Sequence, residues 1–339
     1  MHKIPLYIPD ALKDIELAAW FKPLPEGLLF KKELPPNFFT QDVERVSDVS
    51  RARAIVLPNN FKRVDSRVDE YVRQYAEMGE KHSVPVYCFS LGDFTDKTRF
   101  DPRVCVFRLS VYRSRMRSQD IVIPALTEDN AKEGILVRKK PPVPRVSFCG
   151  MGGFPSWQAW IKYWVKIILY TSVSLVDSAA RARIVGIYWR RAAMRACRAS
   201  PLVETHFIVR KTFSGHRKSI ELDPVQARRE YLESIIGSDF VLAPKGDGNY
   251  SNRFFKTLCM GRIPVVTDTD IVLPLEDVIA YEKIMVRVPM DRVRETPRYI
   301  REFYDILDDG EYERRQRLAR ETFENYLRVD SFFRFFFTK

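Results

Sequence analysis

The stretch Asp239–Pro274, DFVLAPKGDGNYSNRFFKTLCMGRIPVVTDTDIVLP, admits few folds. Phe240-Val241-Leu242-Ala243 is an apolar run that predicts a short strand. Pro244 to Tyr250, rich in Pro and Gly, predicts a loop. A helix is expected over Arg253–Met260, after Ser251-Asn252, with Gly261 as its stop. Ile263-Pro264-Val265-Val266 then reads as a second buried strand, leading to Asp268 and Asp270. A strand, a glycine loop, a helix and a strand in this order present backbone N–H groups and a positive helix end to a phosphate. Lys245, Gly246, Gly248 and Arg253 fall where a pyrophosphate would sit. Glycine permits close backbone approach, and arginine grips a phosphate through two donors.

The remainder of the chain repeats the alternation. Ala54–Asn60, Val84–Ser90 and Val104–Leu109 are apolar strand runs, Asp120–Pro124 is a fourth candidate, and Val64–His82 has helical spacing between the first two. Strand–helix–strand order predicts a parallel α/β sheet, whose ligands lie beyond the carboxyl ends of its strands. Asn59, Asn60, Ser90 and Asp93 occupy such ends. Asp93 is a candidate general base, with a structural capping carboxylate as the other reading. Pro23–Pro36 is expected as a loop, and Lys139–Pro144, with three prolines, as an interdomain linker.

Arg145–Gly150 starts a new strand, and Met151-Gly152-Gly153 a turn. Trp157–Val176 is the most apolar segment, with Trp160, Tyr163, Trp164, Ile167 and Ile168 on one helical stripe. A core helix is the expected reading, and an interfacial helix that reaches a lipid-linked acceptor is the alternative. Arg181–Arg198 carries six arginines and no acid, expected as a solvated face or an anion-binding surface. Thr205–Arg210 is a strand, and Pro224–Ile236 a helix capped by Asp223. A last strand is expected at Val286–Pro289, a helix at Pro297–Leu307, and a long charged helix at Glu311–Val329 before an aromatic tail, Phe332–Phe337.

The spacing SxRxxxxLxxGxIPVV, from Ser251 to Val266, followed by D-x-x-LP from Asp270, resembles the nucleotide-sugar-binding segment of exostosin-like glycosyltransferases, glycosyltransferase family 47. The upstream run FIVRKTFSGH…RREYLESIIGSDFVLAPKGDGNYSNRF resembles their bacterial and viral branch, and the likeness spans roughly Arg145 to Lys283. The resemblance implies a GT-B fold of two Rossmann-like α/β domains with a cleft between them, and inverting sugar transfer in polysaccharide biosynthesis. The expected layout is an acceptor domain over residues 1–140, a nucleotide-sugar domain over 141–310, and a helix and tail over 311–339 that cross back to the first. The donor contacts it implies are Lys245, Gly246, Gly248, Ser251, Arg253, Asp270, Arg228 and Arg210. No metal or other cofactor is expected beyond the nucleotide sugar, because Arg253 and Lys245 would neutralise the leaving diphosphate. One position departs from the family: Lys256 stands where a glutamate usually binds the donor ribose, so a donor-only cation replaces an acceptor-only carboxylate. A phosphate or a carboxylated sugar is its expected partner.

Length and charge fit this reading. A chain of 339 residues suits two domains of about 150 residues each. A net charge of +12 suits sugar nucleotides, acidic glycans, anionic lipid or nucleic acid. No apolar run is long enough for a membrane span, and the N-terminus lacks a signal-peptide core. Cysteines 88, 105, 149, 197 and 259 form no CxxC pair and are expected as free thiols. A cytoplasmic protein peripheral to a membrane is therefore expected, with a carbohydrate or lipid-linked glycan as acceptor. The alternatives are a partner that keeps the fold without turnover, which Lys256 favours, and a basic nucleic-acid-binding protein. No helix-turn-helix, zinc or RRM pattern supports the last, so no nucleic acid is expected.

Overall fold

The computed structural model describes residues 3–22, 34–93, 97–132, 134–154, 156–211 and 223–339. Most of the expected Pro23–Pro36 loop, and the part of the family-like run that includes His216, lie outside these residues. The chain divides into two compact units. The first holds residues 1–129, 272–276 and 324–339, and the second holds 130–271 and 277–323.

The first unit contains β1 (Ile4–Tyr7), α1 (Phe38–Gln41), β2 (Val43–Arg45), β3 (Ala54–Asn60), α2 (Ser66–His82), β4 (Val86–Phe89), β5 (Val104–Arg108) and β6 (Asp120–Val122). Its sheet runs β2-β1-β3-β4-β5-β6 with every pair parallel. All of β3 is buried, as a continuous apolar run in a parallel sheet requires. The α2 helix starts at its cap, where the Asp65 carboxylate accepts from the Val68 amide at 2.9 Å. The strand-end polar groups are structural. Asn59 exchanges hydrogen bonds with the Leu12 backbone and donates to the Ile15 carbonyl, and Asn60 exchanges them with the Leu91 backbone. Ser90 donates to the Phe61 carbonyl at 2.8 Å.

The second unit contains β7 (Arg145–Met151), α3 (Trp157–Val173), α4 (Gly186–Arg198), β8 (Glu204–Arg210), α5 (Pro224–Ile236), β9 (Phe240–Leu242), α6 (Asn252–Cys259), β10 (Ile263–Asp268), β11 (Val286–Pro289), α7 (Thr296–Asp305) and α8 (Asp309–Thr322). Its parallel sheet runs β11-β10-β9-β7-β8. Both units are thus parallel α/β folds of the Rossmann-like kind expected for GT-B chains. Asp239 fixes the entry to β9. Its buried carboxylate accepts from the Arg145 amide at 2.7 Å, Arg138 Nε at 2.9 Å and the Tyr312 hydroxyl at 2.5 Å.

Three expectations need correction. The segment 139–144 is not a linker, because the first unit gives way to the second at residue 130. Its backbone is packed on α7, with Pro141 and Pro142 carbonyls accepting from Tyr304 and Arg301. The helix expected over Glu311–Val329 ends at Thr322, passes through a π-helical turn over Phe323–Leu327, and breaks where Arg328 is extended at φ −72°, ψ 130°. The α3 helix is not a core helix. Only Tyr163 and Ile167 are buried, because its apolar residues occur nearly all round the axis and the unit covers one narrow face.

The aromatic tail is itself a helix, α9 (Val329–Thr338), and belongs to the first unit. Phe332, Phe333 and Phe337 are buried among Trp20, Phe38, Phe39, Phe89 and Phe107. Arg334 adds a two-pronged ion pair to Asp42 at 3.0 and 3.2 Å.

Candidate functional site

In the second sheet, chain order reverses between β7 and β9: β8 lies on one side of β7, and β9, β10 and β11 extend on the other. Loops leaving such a pair of neighbouring strands diverge and leave a crevice beyond their carboxyl ends, the favoured ligand position on an open α/β sheet. Arg253, in the first turn of α6, reaches across this point. Its Nη2 donates to the Cys149 carbonyl at 2.9 Å, and its Nη1 approaches the Leu242 carbonyl at 3.5 Å. The guanidinium lies over the Phe148 ring, 4.2 Å from its centroid. Gly150 makes room for it. Its φ is +147°, and a Cβ there would stand 2.7 Å from Arg253 Nη2.

A second arginine bonds at the same two strand ends. Arg190, on α4, donates to the Met151 carbonyl at 3.2 Å and to the Lys245 carbonyl at 3.3 Å. Arg190 and Arg253 therefore both meet the carboxyl-terminal parts of β7, at Met151 and Cys149, and of β9 with its loop, at Lys245 and Leu242. The Nε atoms of Arg190 and Arg253 are both buried without a hydrogen-bond partner. Burial, and then the charge of Arg253, push the Arg190 guanidinium down to about 10, while Asp247 acts the other way. Two like charges with unused donors at one place are a arrangement that an anion relieves. The α4 helix approaches this closely because it begins at Gly186. A Cβ there would lie 2.2 Å from the Gly246 carbonyl oxygen and 2.4 Å from that of Lys245.

The glycine loop is folded on itself: the Gly246 amide donates to the Tyr250 carbonyl at 2.8 Å. Gly248 is buried, Gly246 half-buried, and Ser251 caps α6 with its backbone, not its hydroxyl. Asn249 ties the loop to the end of β10, accepting from the Thr269 hydroxyl at 2.8 Å and donating to the Asp270 carbonyl at 3.0 Å. Asp270 is held at φ +61°, a conformation that non-glycine residues adopt only when their surroundings enforce it. Its neighbour Asp268 is structural, accepting from the Ile271 amide at 3.2 Å and pairing with Arg287 at 3.3 Å.

Other candidates sit differently from expectation. Lys245 is only 1% exposed, and its Nζ donates to the Ala182 carbonyl at 2.7 Å, so the side chain anchors the loop from within. Lys256 is 9% exposed, with its Nζ 2.5 Å from Asn130 Oδ1. Arg210 pairs with Glu230 at 2.7 Å, which with Gln226 holds that carboxyl below its usual range. Arg228 is half-buried on α5. Asp93, in the first unit, is half-buried in a turn after β4, and its carbonyl accepts from the Ser110 hydroxyl at 3.2 Å. Among the described residues, no three His, Cys, Asp or Glu are placed to hold a metal ion.

Residues 180–303 match the family model of the exostosin GT47 domain. Over these residues the chain is similar to exostosin-type glycosyltransferases. The exostosin match includes both arginines, the glycine loop and β9 to β11, and leaves out β7, α3 and all of the first unit except residues 272–276. No curated protein sequence matches the chain. Among solved structures, a glycosyltransferase from Rickettsia africae ESF-5 is 11% identical, covering 98% of this chain and 97% of its own, at a TM-score of 0.36. WaaG, a glycosyltransferase involved in lipopolysaccharide biosynthesis, is 8% identical over 84% and 86% of the two chains, at 0.34. A TarM variant from S. aureus, in complex with fondaparinux, α-GlcNAc-glycerol and UDP, is 11% identical over 87% and 57%, at 0.35.

Arg190 is the residue that sequence reasoning missed. Its only signal was membership of an acid-free arginine run, and the contact that distinguishes it reaches Lys245, 55 positions away.

Burial of Lys245 has a measurable consequence. Burial pushes its ammonium down to about 7, with Asp247 opposing. The unfolded chain therefore binds the extra proton between about pH 7 and its ordinary value near 10, and folding becomes more favourable as pH rises through that window. Below it, the charged form is buried at a constant cost. A Lys245→Met variant lacks this term. Its advantage in unfolding free energy over the wild type is expected to shrink by about 2 kcal/mol between pH 7 and 9, as denaturant titrations at both values will report. A constant difference between the two proteins refutes a depressed Lys245.

Proposed function

We propose that the chain transfers a sugar from a nucleotide-sugar donor to a hydroxyl of a glycan, glycolipid or glycoprotein acceptor, with inversion at the anomeric carbon. The donor diphosphate lies at the crevice beyond β7 and β9. The observation that carries this is the convergence of Arg190 and Arg253 on those two strand ends, each with a buried, unpartnered Nε. Both guanidinium groups would stabilise the negative charge that grows on the leaving diphosphate as its bond to the sugar breaks. Amides at Gly248 and Ser251, and that of Gly246 once it leaves the Tyr250 carbonyl, add donors from the loop that Lys245 anchors. Asp270 accepts from sugar hydroxyls, and Arg228 on α5 and Arg210 on β8 are further donor contacts. Lys256 faces a phosphate or a sugar carboxylate once it leaves Asn130. Asp93 takes the proton of the acceptor hydroxyl as that oxygen attacks. A lipid-linked acceptor would bring the protein, in the cytoplasm, to a membrane surface.

Thermal unfolding against a panel of nucleoside diphosphates and sugar nucleotides tests the donor site. A ligand at 100 times its dissociation constant adds about 2.7 kcal/mol. One base is expected to raise the melting temperature and to support transfer. A shift without transfer favours the fold-keeping partner that does not turn over. No shift with any nucleotide sinks the donor site.

A further inference from the structure

Helix α3 supplies none of the groups at the crevice and lies outside the exostosin match. Beyond the two residues it buries, it turns Trp157, Trp160, Ile161, Trp164, Val165, Ile168 and Leu169 to solvent. The apolar surface continues past its end, and exposures along the segment run from 40% at Val173 to 95% at Val176. So much contiguous apolar surface marks an interaction site.

The charge around it identifies the occupant. Residues 157–198 hold eight Lys and Arg and a single acid, Asp177, which pairs with Arg183 at 3.1 Å. Lys162 and Lys166 are exposed on α3 itself, between its apolar outer face and its buried one. Between α3 and α4 lies a groove of about 470 Å³, walled by Trp160, Tyr163 and Trp164 and edged by Arg191, Arg195 and Arg294. An apolar wedge with tryptophans, bordered by cations, matches the acyl and headgroup layers of a bilayer. A second copy of the chain matches poorly, because pairing this face with itself would oppose two arrays of like charge.

We propose that α3 docks the second unit onto an anionic phospholipid surface. Ile161, Val165, Ile168 and Leu169 enter the acyl boundary, and a lipid phosphate occupies the groove against Arg191 and Arg195. This docking is independent of the glycosyl-transfer reading, since none of its residues belongs to the crevice.

Co-sedimentation with vesicles tests it, using the full chain. The protein is expected to pellet with vesicles of equal parts phosphatidylcholine and phosphatidylglycerol. It should pellet far less with phosphatidylcholine alone, and less again at high salt. Its tryptophan emission should move to the blue on the mixed vesicles. Two exposed-surface variants, Trp164→Ser/Ile168→Ser and Arg195→Glu/Arg198→Glu, should each lower partitioning by about tenfold or more while leaving nucleotide-dependent stabilisation unchanged. Failure to pellet with the mixed vesicles overturns the proposal, as does undiminished partitioning of both variants. A wild-type dimer in lipid-free sedimentation that the serine pair dissociates also overturns it, and assigns the face to a second copy.

Discussion

Replacing Arg253 by alanine is expected to lower sugar transfer about 100- to 1000-fold and to abolish the stabilisation given by a nucleoside diphosphate. The reason is geometric. A forked donor on α6 reaches both Cys149, among the last residues of β7, and Leu242 at the end of β9, and its Nε is left over. The substitution also strips a donor from the Cys149 carbonyl and a cation from the Phe148 face. A stability loss of about 1–3 kcal/mol accompanies it, and assays belong at temperatures where the variant remains folded. Arg253→Lys separates the two effects. It keeps the charge but loses the planar fork, so it should recover folding more than transfer. A cycle with Arg190→Ala adds a sign test. Without ligand, the two guanidinium groups repel, so removing either one relieves the other. With nucleotide bound they cooperate, and the coupling changes sign. Retention of transfer within a few-fold in Arg253→Ala, at unchanged fold, removes the crevice from the mechanism.

The legible part of this chain was the part in which local pattern and tertiary role coincide. β9, its glycine loop, α6 and β10 fall where the residues from Asp239 to Asp268 put them, since a buried strand, a turn and a stop at Gly261 are each written locally. β1 and β2 were not read, because strands of four and three residues carry too little pattern. Composition identified α3 as apolar but not which neighbour covers it, and most of it has none within its unit. Lysine types were read as phosphate ligands, yet the direction of a side chain is set by packing. Lys245 turns to Ala182, and Lys256 to Asn130. Arg190 needed a helix placed across a sheet before its contact existed at all.

The second large effect is expected at the far end of the chain. Phe333→Ala should destabilise the first unit by about 3–5 kcal/mol. Phe333 is fully buried, with ring centroids 5.0 Å from Phe39, 5.1 Å from Trp20 and 5.4 Å from Phe107. The last strand of the first sheet closes at Val122, yet its core includes a helix encoded two hundred residues later. Truncating the ring leaves a cavity that rigid aromatic neighbours fill poorly, and each edge-to-face contact is lost as well. Phe333→Leu, which keeps most of the volume, should cost about half as much. Arg334 to Asp42 is a partly exposed pair and does not compensate, being worth at most about 1 kcal/mol. Chemical denaturation followed by near-ultraviolet circular dichroism reads these losses through the aromatic cluster itself. Because the nucleotide crevice is built wholly from second-unit residues, the stabilisation by nucleoside diphosphate should persist in Phe333→Ala at temperatures where it is folded. A loss below about 1 kcal/mol would mean that α9 is dispensable to the first core, and its placement among those rings would then be wrong.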